Sequence, residues 1–264
     1  MTRLAILTSG GDAPGMNAAI RAAALIALSK GLEVFGVERG YRGLMEGSLV
    51  QLVAEKVTGI LREGGTILGT SRCPEMLDRG VRDHARKHLA AAAIEQLLVI
   101  GGNGSLTGAL ALSDPEECGG QPLRVAGVPA SIDNDVGLTG LAIGVDTAMN
   151  TIVEACDKIA DTATSHGRTF VVEVMGRDSG YLAMTSAIAS GADMVLFPEA
   201  DRSEDELVES IVRTVLAVRQ RSGRPKRVIA IKAEGVPVST ERLKQRVDER
   251  LRQESGTSDS EVET

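Results

Sequence analysis

Short, unbroken apolar runs recur along the chain and alternate with stretches in which apolar residues return every three or four positions. The runs LAIL (4–7), EVFGV (33–37), LLVI (97–100), VAGVP (125–129), VVEVM (171–175), MVLF (194–197) and RVIAIK (227–232) read as strands. Their continuous hydrophobicity suits strands covered on both faces. Helical spacing predicts helices over 14–28, near 53–62 and 78–92, and over 105–112, 146–160, 181–189, 204–220 and 239–254. Strands alternating with helices predict parallel sheets flanked by helices on both sides. The glycine-bearing stretch 137–144 reads as a hinge, dividing an α/β unit over 1–143 from a second over 144–264. In sheets of this kind ligands bind at the carboxyl ends of the strands, and the glycine-rich stretches all fall at such ends.

Composition narrows the function classes. With 264 residues, 43% hydrophobic and 25% charged, the chain is long enough for two packed units. Aromatic residues are 2% of the chain and Trp is absent, too few to stack exposed bases. A net charge of −7 also opposes binding to a nucleic-acid backbone. It does not oppose a small anionic ligand met by local arginines. Cys73, Cys118 and Cys156 show no metal-type spacing with His84, His88 or His166, and so sparse a set fits a reducing compartment. The N-terminus reaches a glycine pair too soon for a secretion signal. No apolar run is long enough to span a bilayer. A cytoplasmic location without membrane or nucleic-acid partners is expected.

Four stretches carry chemistry. TSGGDAPGMNAAIR (8–21) joins a strand to a helix. Gly10 and Gly11 leave the backbone open to a phosphate, and the helix amides favour an anion. The stretch has neither the P-loop lysine nor GxGxxG spacing. GGTILGTSRCPE (64–75) brings Arg72 to a loop, where a guanidinium can offset charge on a transferring phosphoryl group. GGNGS (101–105) offers a further set of amides. In GVPASIDNDVG (127–137), Asp133 and Asp135 stand just past a strand. A carboxylate there can take a hydroxyl proton, and a second can hold Mg²⁺ through water. Each stretch in isolation also has an ordinary reading as a tight turn, a surface arginine or an Asx turn.

Taken together and in order, these stretches, with SHGR, VVEVMGRDSGYLA and the AEG after the strand at 227–232, resemble the phosphofructokinase family in its bacterial, ATP-dependent form. The resemblance covers residues 4 to about 235. It implies two Rossmann-like three-layer α/β/α domains with mainly parallel sheets, the first binding ATP and the second the sugar phosphate. The implied reaction is transfer of the γ-phosphoryl group of ATP to the 1-hydroxyl of fructose 6-phosphate, with Mg²⁺.

By the same resemblance Asp133 is the base and Asp135 holds Mg²⁺ with Asn103 beside it. Ser131 bonds a transferring oxygen, while Gly11 and Arg72 contact the phosphate. Arg177 meets the phosphate in the transition state, and Met175, Gly176 and Glu234 line the sugar site. Arg168 reaches the 6-phosphate across a subunit interface, implying a homo-oligomer, typically a dimer of dimers. Tyr41, Cys73, Gly102, Asn103, Gly104 and Ser105 contact the nucleotide. Small residues at Gly104 and Ala130 leave room for the α-phosphate and adenosine, which favours ATP over pyrophosphate.

Three departures qualify the resemblance. Asn103 stands where the family has aspartate. Arg21 is present, but the other effector-site arginines are replaced by Leu25, Ala54 and Ala160. The GHxQRGG-type stretch that returns to the sugar phosphate does not follow the last predicted helix, so the returning segment is expected to be missing. A pyrophosphate-dependent enzyme and a non-catalytic regulatory or assembly subunit stay open as alternatives.

Overall fold

The structure is a computed structural model, and it describes residues 2–116, 123–221, 226–255 and 262–263. Cys118 lies outside the described residues. The chain divides into two compact units. The first comprises residues 1–131 and 135–145, and the second residues 132–134 and 146–264. The second unit thus takes up Ile132–Asn134 from within the first unit's span, a feature that a linear boundary at 143/144 does not contain.

In the first unit the strands are β1 (Arg3–Ser9), β2 (Glu33–Val37), β3 (Leu49–Gln51), β4 (Gln96–Gly101) and β5 (Arg124–Pro129). They form one sheet in the order β3-β2-β1-β4-β5. Pairings of β1 with β2, β1 with β4, and β4 with β5 are parallel, and β3 adds an antiparallel edge to β2. The helices are α1 (Met16–Ser29), α2 (Gly40–Glu46), α3 (Ala54–Thr58), α4 (Arg79–Ala91) and α5 (Asn103–Leu112). Ala5 and Leu7 of β1 pack with Leu97 and Val99 of β4 against Tyr41 and Leu44 of α2, Leu89 of α4 and Leu112 of α5. Ile6, on the opposite face of β1, is equally buried, as alternation requires when helices cover both sides.

The second unit contains α6 (Val145–His166), β6 (Thr169–Val174), α7 (Tyr181–Ser190), β7 (Met194–Leu196), α8 (Glu204–Gln220), β8 (Val228–Ala233), α9 (Thr240–Ser255) and β9 (Val262–Glu263). Its sheet runs β7-β8-β6-β9 with every pairing parallel. Val228 and Ala230 face a core with Ile211, Val215, Leu243 and Val247 of α8 and α9. Ile229 and Ile231 face the other side, toward Cys156 of α6 and Ala183 and Ala187 of α7. Ser203 caps α8 in a reciprocal capping box with Glu206, which satisfies amides that have no partner within the helix.

The predicted strands are all present. The hinge stretch leads into α6, which continues to His166, past the expected end at 160. The segment 53–62 is a short α-helix followed by a 3-10 turn, not one helix. Helix α2 and strands β3 and β9 were not predicted.

The carboxyl ends of β1 and β4 meet closely. A Cβ added at Gly101 would lie 2.5 Å from the Ser9 carbonyl oxygen and 2.8 Å from the Ser105 Cβ. Gly101→Ala must therefore push the two strand ends apart. We expect a loss of about 1–3 kcal/mol in unfolding free energy, as for other overpacking substitutions, read from urea midpoints against the parent chain.

Candidate active site

In the first unit β1 connects through α1 to β2 on one side, and β4 connects through α5 to β5 on the other. The order in which the connections wind thus reverses between the parallel strands β1 and β4, and a crevice forms at such a point. Gly10 and Gly11 leave β1 there, and Gly102 to Ser105 leave β4. Gly102 is the N-cap of α5, and no side chain caps the helix. The first amides of α5 have no partners within the helix, which suits an anion.

The loop that leads to Arg72 is laced to the end of β1. The Thr8 hydroxyl donates to the Gly69 carbonyl at 2.9 Å. The Thr70 hydroxyl donates to the Gly10 carbonyl at 2.9 Å. The Gly10 N–H and the Ser9 hydroxyl both donate to the Ser71 carbonyl, each at 3.3 Å. Residues 69–71 are therefore tied to the end of β1, and Arg72 follows with its side chain exposed. Thr8, Ser9 and Thr70 were missed by sequence reasoning, because no spacing signal distinguishes a loop-tying hydroxyl from any other.

Tyr41 does not present a face to a ligand. It is 2% exposed within the core, and its hydroxyl donates to the Ser105 carbonyl at 2.6 Å. Burial, with Cys73 nearby, pushes its pKa up, so the phenol stays protonated. Its expected nucleotide contact becomes support of the β4–α5 turn from beneath. Cys73 is half-buried against the same core, and burial together with Glu75 raises its thiol pKa. Asn103 and Gly104 are exposed, and Ser105 is buried.

Past β5, Ala130 bridges to Ile143 and the Ser131 N–H donates to the Ile143 carbonyl at 3.1 Å. A Cβ on Gly102 would lie 3.5 Å from the Ser131 Cβ, so Ser131 borders the β4–α5 turn. Asp135 is exposed in the first unit. Asp133 groups with the second unit and is 8% exposed. The next residue, Asn134, has φ of 51°, a left-handed conformation that asparagine tolerates better than most residues.

The second unit gathers Met175, Gly176, Arg177 and Glu234 where β6 and β8 end. The Glu234 carboxylate accepts the Gly176 N–H at 3.1 Å and the Arg177 N–H at 2.6 Å. Arg177 holds φ of 51°, and a Cβ on Gly235 would come within 2.1 Å of its carbonyl oxygen. Non-glycine residues held in this region signal a position fixed by its surroundings. Met175 is 61% exposed. Arg168 precedes β6, at the opposite end of that strand, so the unit itself does not bring it to Glu234.

Beneath this cluster Lys232, with its side chain 2% exposed, pairs with Glu173 at 2.7 Å across the β6–β8 register. The Thr240 hydroxyl also donates to Glu173. A cleft of about 250 Å³ opens beside them, bounded by Glu173, Lys232, Glu234, Ser239 and Thr240.

The bond from Lys232, then that from Thr240, lowers the Glu173 pKa below the ordinary carboxylate value. A group depressed on folding stabilises above its unfolded pKa and loses that contribution as pH falls through the folded value. We therefore expect Glu173→Gln to give a shallower loss of stability than the parent on acidification below the ordinary carboxylate range. Urea midpoints taken across that range check the slope.

The family model described as phosphofructokinase matches residues 3–263. The chain belongs to the phosphofructokinase family. It is 47% identical over 235 residues to an ATP-dependent 6-phosphofructokinase of Thermotoga neapolitana, covering 89% of this chain and 70% of that protein. An ATP-dependent 6-phosphofructokinase of Clostridium botulinum is 48% identical over 236 residues, with the same shares covered. Among solved structures, phosphofructokinase from Saccharomyces cerevisiae superposes with a TM-score of 0.85 at 36% identity, covering 100% of this chain and 38% of that one. A pyrophosphate-dependent phosphofructokinase from Marinobacter aquaeolei gives 0.80 at 19% identity, a likeness of fold. The chain thus spans about 70% of the curated relatives and well under half of the yeast chain. The family's two-layered helix cover and mainly parallel sheets are those described above.

Proposed function

We propose that this chain carries out ATP-dependent 6-phosphofructokinase chemistry, forming fructose 1,6-bisphosphate and ADP. The observation that carries this reading is the switch point of the first sheet. There the β1–α1 and β4–α5 turns offer backbone amides and the laced loop delivers Arg72. The ATP-dependent relatives at 47% and 48% identity support ATP over pyrophosphate as donor.

The roles follow from the chemistry of each group. The amides of Gly11, Gly102, Asn103, Gly104 and Ser105 bind the phosphates of ATP, and Arg72 offsets charge on the transferring group. Ser131 hydrogen-bonds a phosphoryl oxygen. Asp133 takes the proton from the sugar 1-hydroxyl as that oxygen attacks phosphorus. Arg177 stabilises the charge that develops on the phosphoryl oxygens. Met175, Gly176 and Glu234 hold the sugar, with Glu234 already oriented by two backbone amides. Arg168 contributes to the sugar 6-phosphate in a homo-oligomer, a dimer of dimers, in the cytoplasm. Among the described residues no helix is long and apolar enough to cross a membrane. The domain assignment that goes with these roles is ATP binding over 1–143 and sugar-phosphate binding over 144–264.

The donor set fits Mg²⁺ in one specific way. No group of three or more His, Cys, Asp or Glu residues able to hold a metal occurs among the described residues. Asp135 and Asn103 are both exposed oxygen donors in the first unit. Mg²⁺ keeps several waters and is commonly held by one or two carboxylates with substrate phosphates, so these two residues would hold it. When bound, it neutralises charge on the phosphates.

The direct test is ADP release from ATP with fructose 6-phosphate and Mg²⁺. Asp133→Asn is expected to lower kcat by about 10²-fold or more, the usual contribution of a general base. Equal rates in the two chains would remove Asp133 from the reaction, and faster turnover with pyrophosphate would assign a different donor. A second measurement addresses Asn103. Asn103→Asp adds a carboxylate at the start of α5, where negative charge is also favoured by the helix. The Mg²⁺ concentration giving half-maximal activity is expected to fall several-fold, and no change would separate this residue from the metal.

A further inference from the structure

Asn17 lies in the first turn of α1 and is 1% exposed. Its side-chain amide donates to the Glu63 carbonyl at 3.0 Å and to the Gly64 carbonyl at 3.1 Å. Its carbonyl oxygen accepts the Ile67 N–H at 2.7 Å. A single buried side chain therefore makes three bonds to a loop about fifty residues away in sequence. Buried amides of this kind are costly to strip of their partners.

The loop that Asn17 holds leads directly to Arg72. Thr66, within it, shares a hydroxyl–hydroxyl bond with Thr8 of β1 at 2.9 Å. Past it come the ties of Gly69, Thr70 and Ser71 to the end of β1. Asn17 is thus the first anchor of a seam that runs from Glu63 to Ser71. On one side of the seam are the β1–α1 turn and the start of α1; on the other is the approach to Arg72. All of these residues belong to the first unit.

We propose that Asn17 is a positioning residue of the phosphate-binding crevice. By fixing residues 63–67 to the start of α1, it sets where Arg72 stands relative to Gly10 and Gly11. Its effect on a ligand passes through Arg72, and that part rests on the reading of the crevice as an ATP site. Its effect on the loop does not.

Two measurements on the full chain test this. In the first, backbone hydrogen exchange of the ligand-free protein is compared between the parent and Asn17→Ala. Exchange is expected to quicken at least several-fold across 64–71, not at Ile67 alone, while β4 and β5 keep their protection. Unchanged exchange at 68–71 would overturn the seam. If Asn17→Ala does not fold, Thr70→Val removes a later tie at nearly constant volume, and the same local quickening is expected.

In the second, ATP affinity is measured by calorimetry in a double-mutant cycle with Arg72→Ala. A residue acting through Arg72 gives non-additive losses. Asn17→Ala should weaken ATP several-fold in the parent and little further in the Arg72→Ala background. Equal losses in both backgrounds would show a general structural effect and overturn the proposal. A parent chain that binds no ATP would defeat the functional reading instead, and the exchange result would then decide the role of Asn17 alone.

Discussion

The first unit depends on how closely the ends of β1 and β4 can approach. Gly101 lies where any side chain would strike the Ser9 carbonyl and Ser105. That closeness brings two helix-leading turns to one crevice, where both sets of amides can face a single anion. Everything nearby reinforces the arrangement. Tyr41 holds the Ser105 carbonyl from the core side, and the threonine and serine hydroxyls of residues 8, 9 and 70 bind the Arg72 loop to β1. A loop carrying a guanidinium would otherwise be free to move. Here four hydrogen bonds tie residues 69–71 to the end of β1, so that part of the loop is already ordered when an anion binds.

The second unit uses the same device with different chemistry. Strands β6 and β8 run in parallel register with Glu173 opposite Lys232. Two residues further on, Glu234 gathers the amides of Gly176 and Arg177. Only Lys232 of this ion pair is buried, and the Glu173 carboxylate is half-exposed, so the pair adds little net stability. It does tie the strand ends together where the loops depart, and the strained backbone at Arg177 needs such support. Arg168, at the other end of β6, lies outside this cluster.

Much of this was legible in the sequence, for physical reasons. Doubly covered parallel strands are largely apolar, so β1, β4, β6 and β8 announce themselves as short hydrophobic runs. Glycines at strand ends mark backbone that a side chain would obstruct. The family resemblance then supplied roles for Asp133, Arg72 and Arg177 that residue types alone left open. Less legible were elements with little apolar content or few residues. Strand β3 has three residues, and α2 is seven residues holding two glycines and framed by left-handed caps. Asn17 gave no signal, because an asparagine in a helix reads as surface until its three distant partners are seen. Tyr41 was read as a nucleotide contact from the family resemblance, whereas its hydroxyl serves the turn from inside the core.

Binding of the phosphates in the β1–β4 crevice is the central claim. Titrating ATP into isotopically labelled protein and following the backbone amide resonances tests it most directly. The largest changes are expected at Gly10, Gly11 and residues 102–105, with Arg72 responding alongside them. Changes confined to other parts of the chain, or none at saturating ATP, would contradict it.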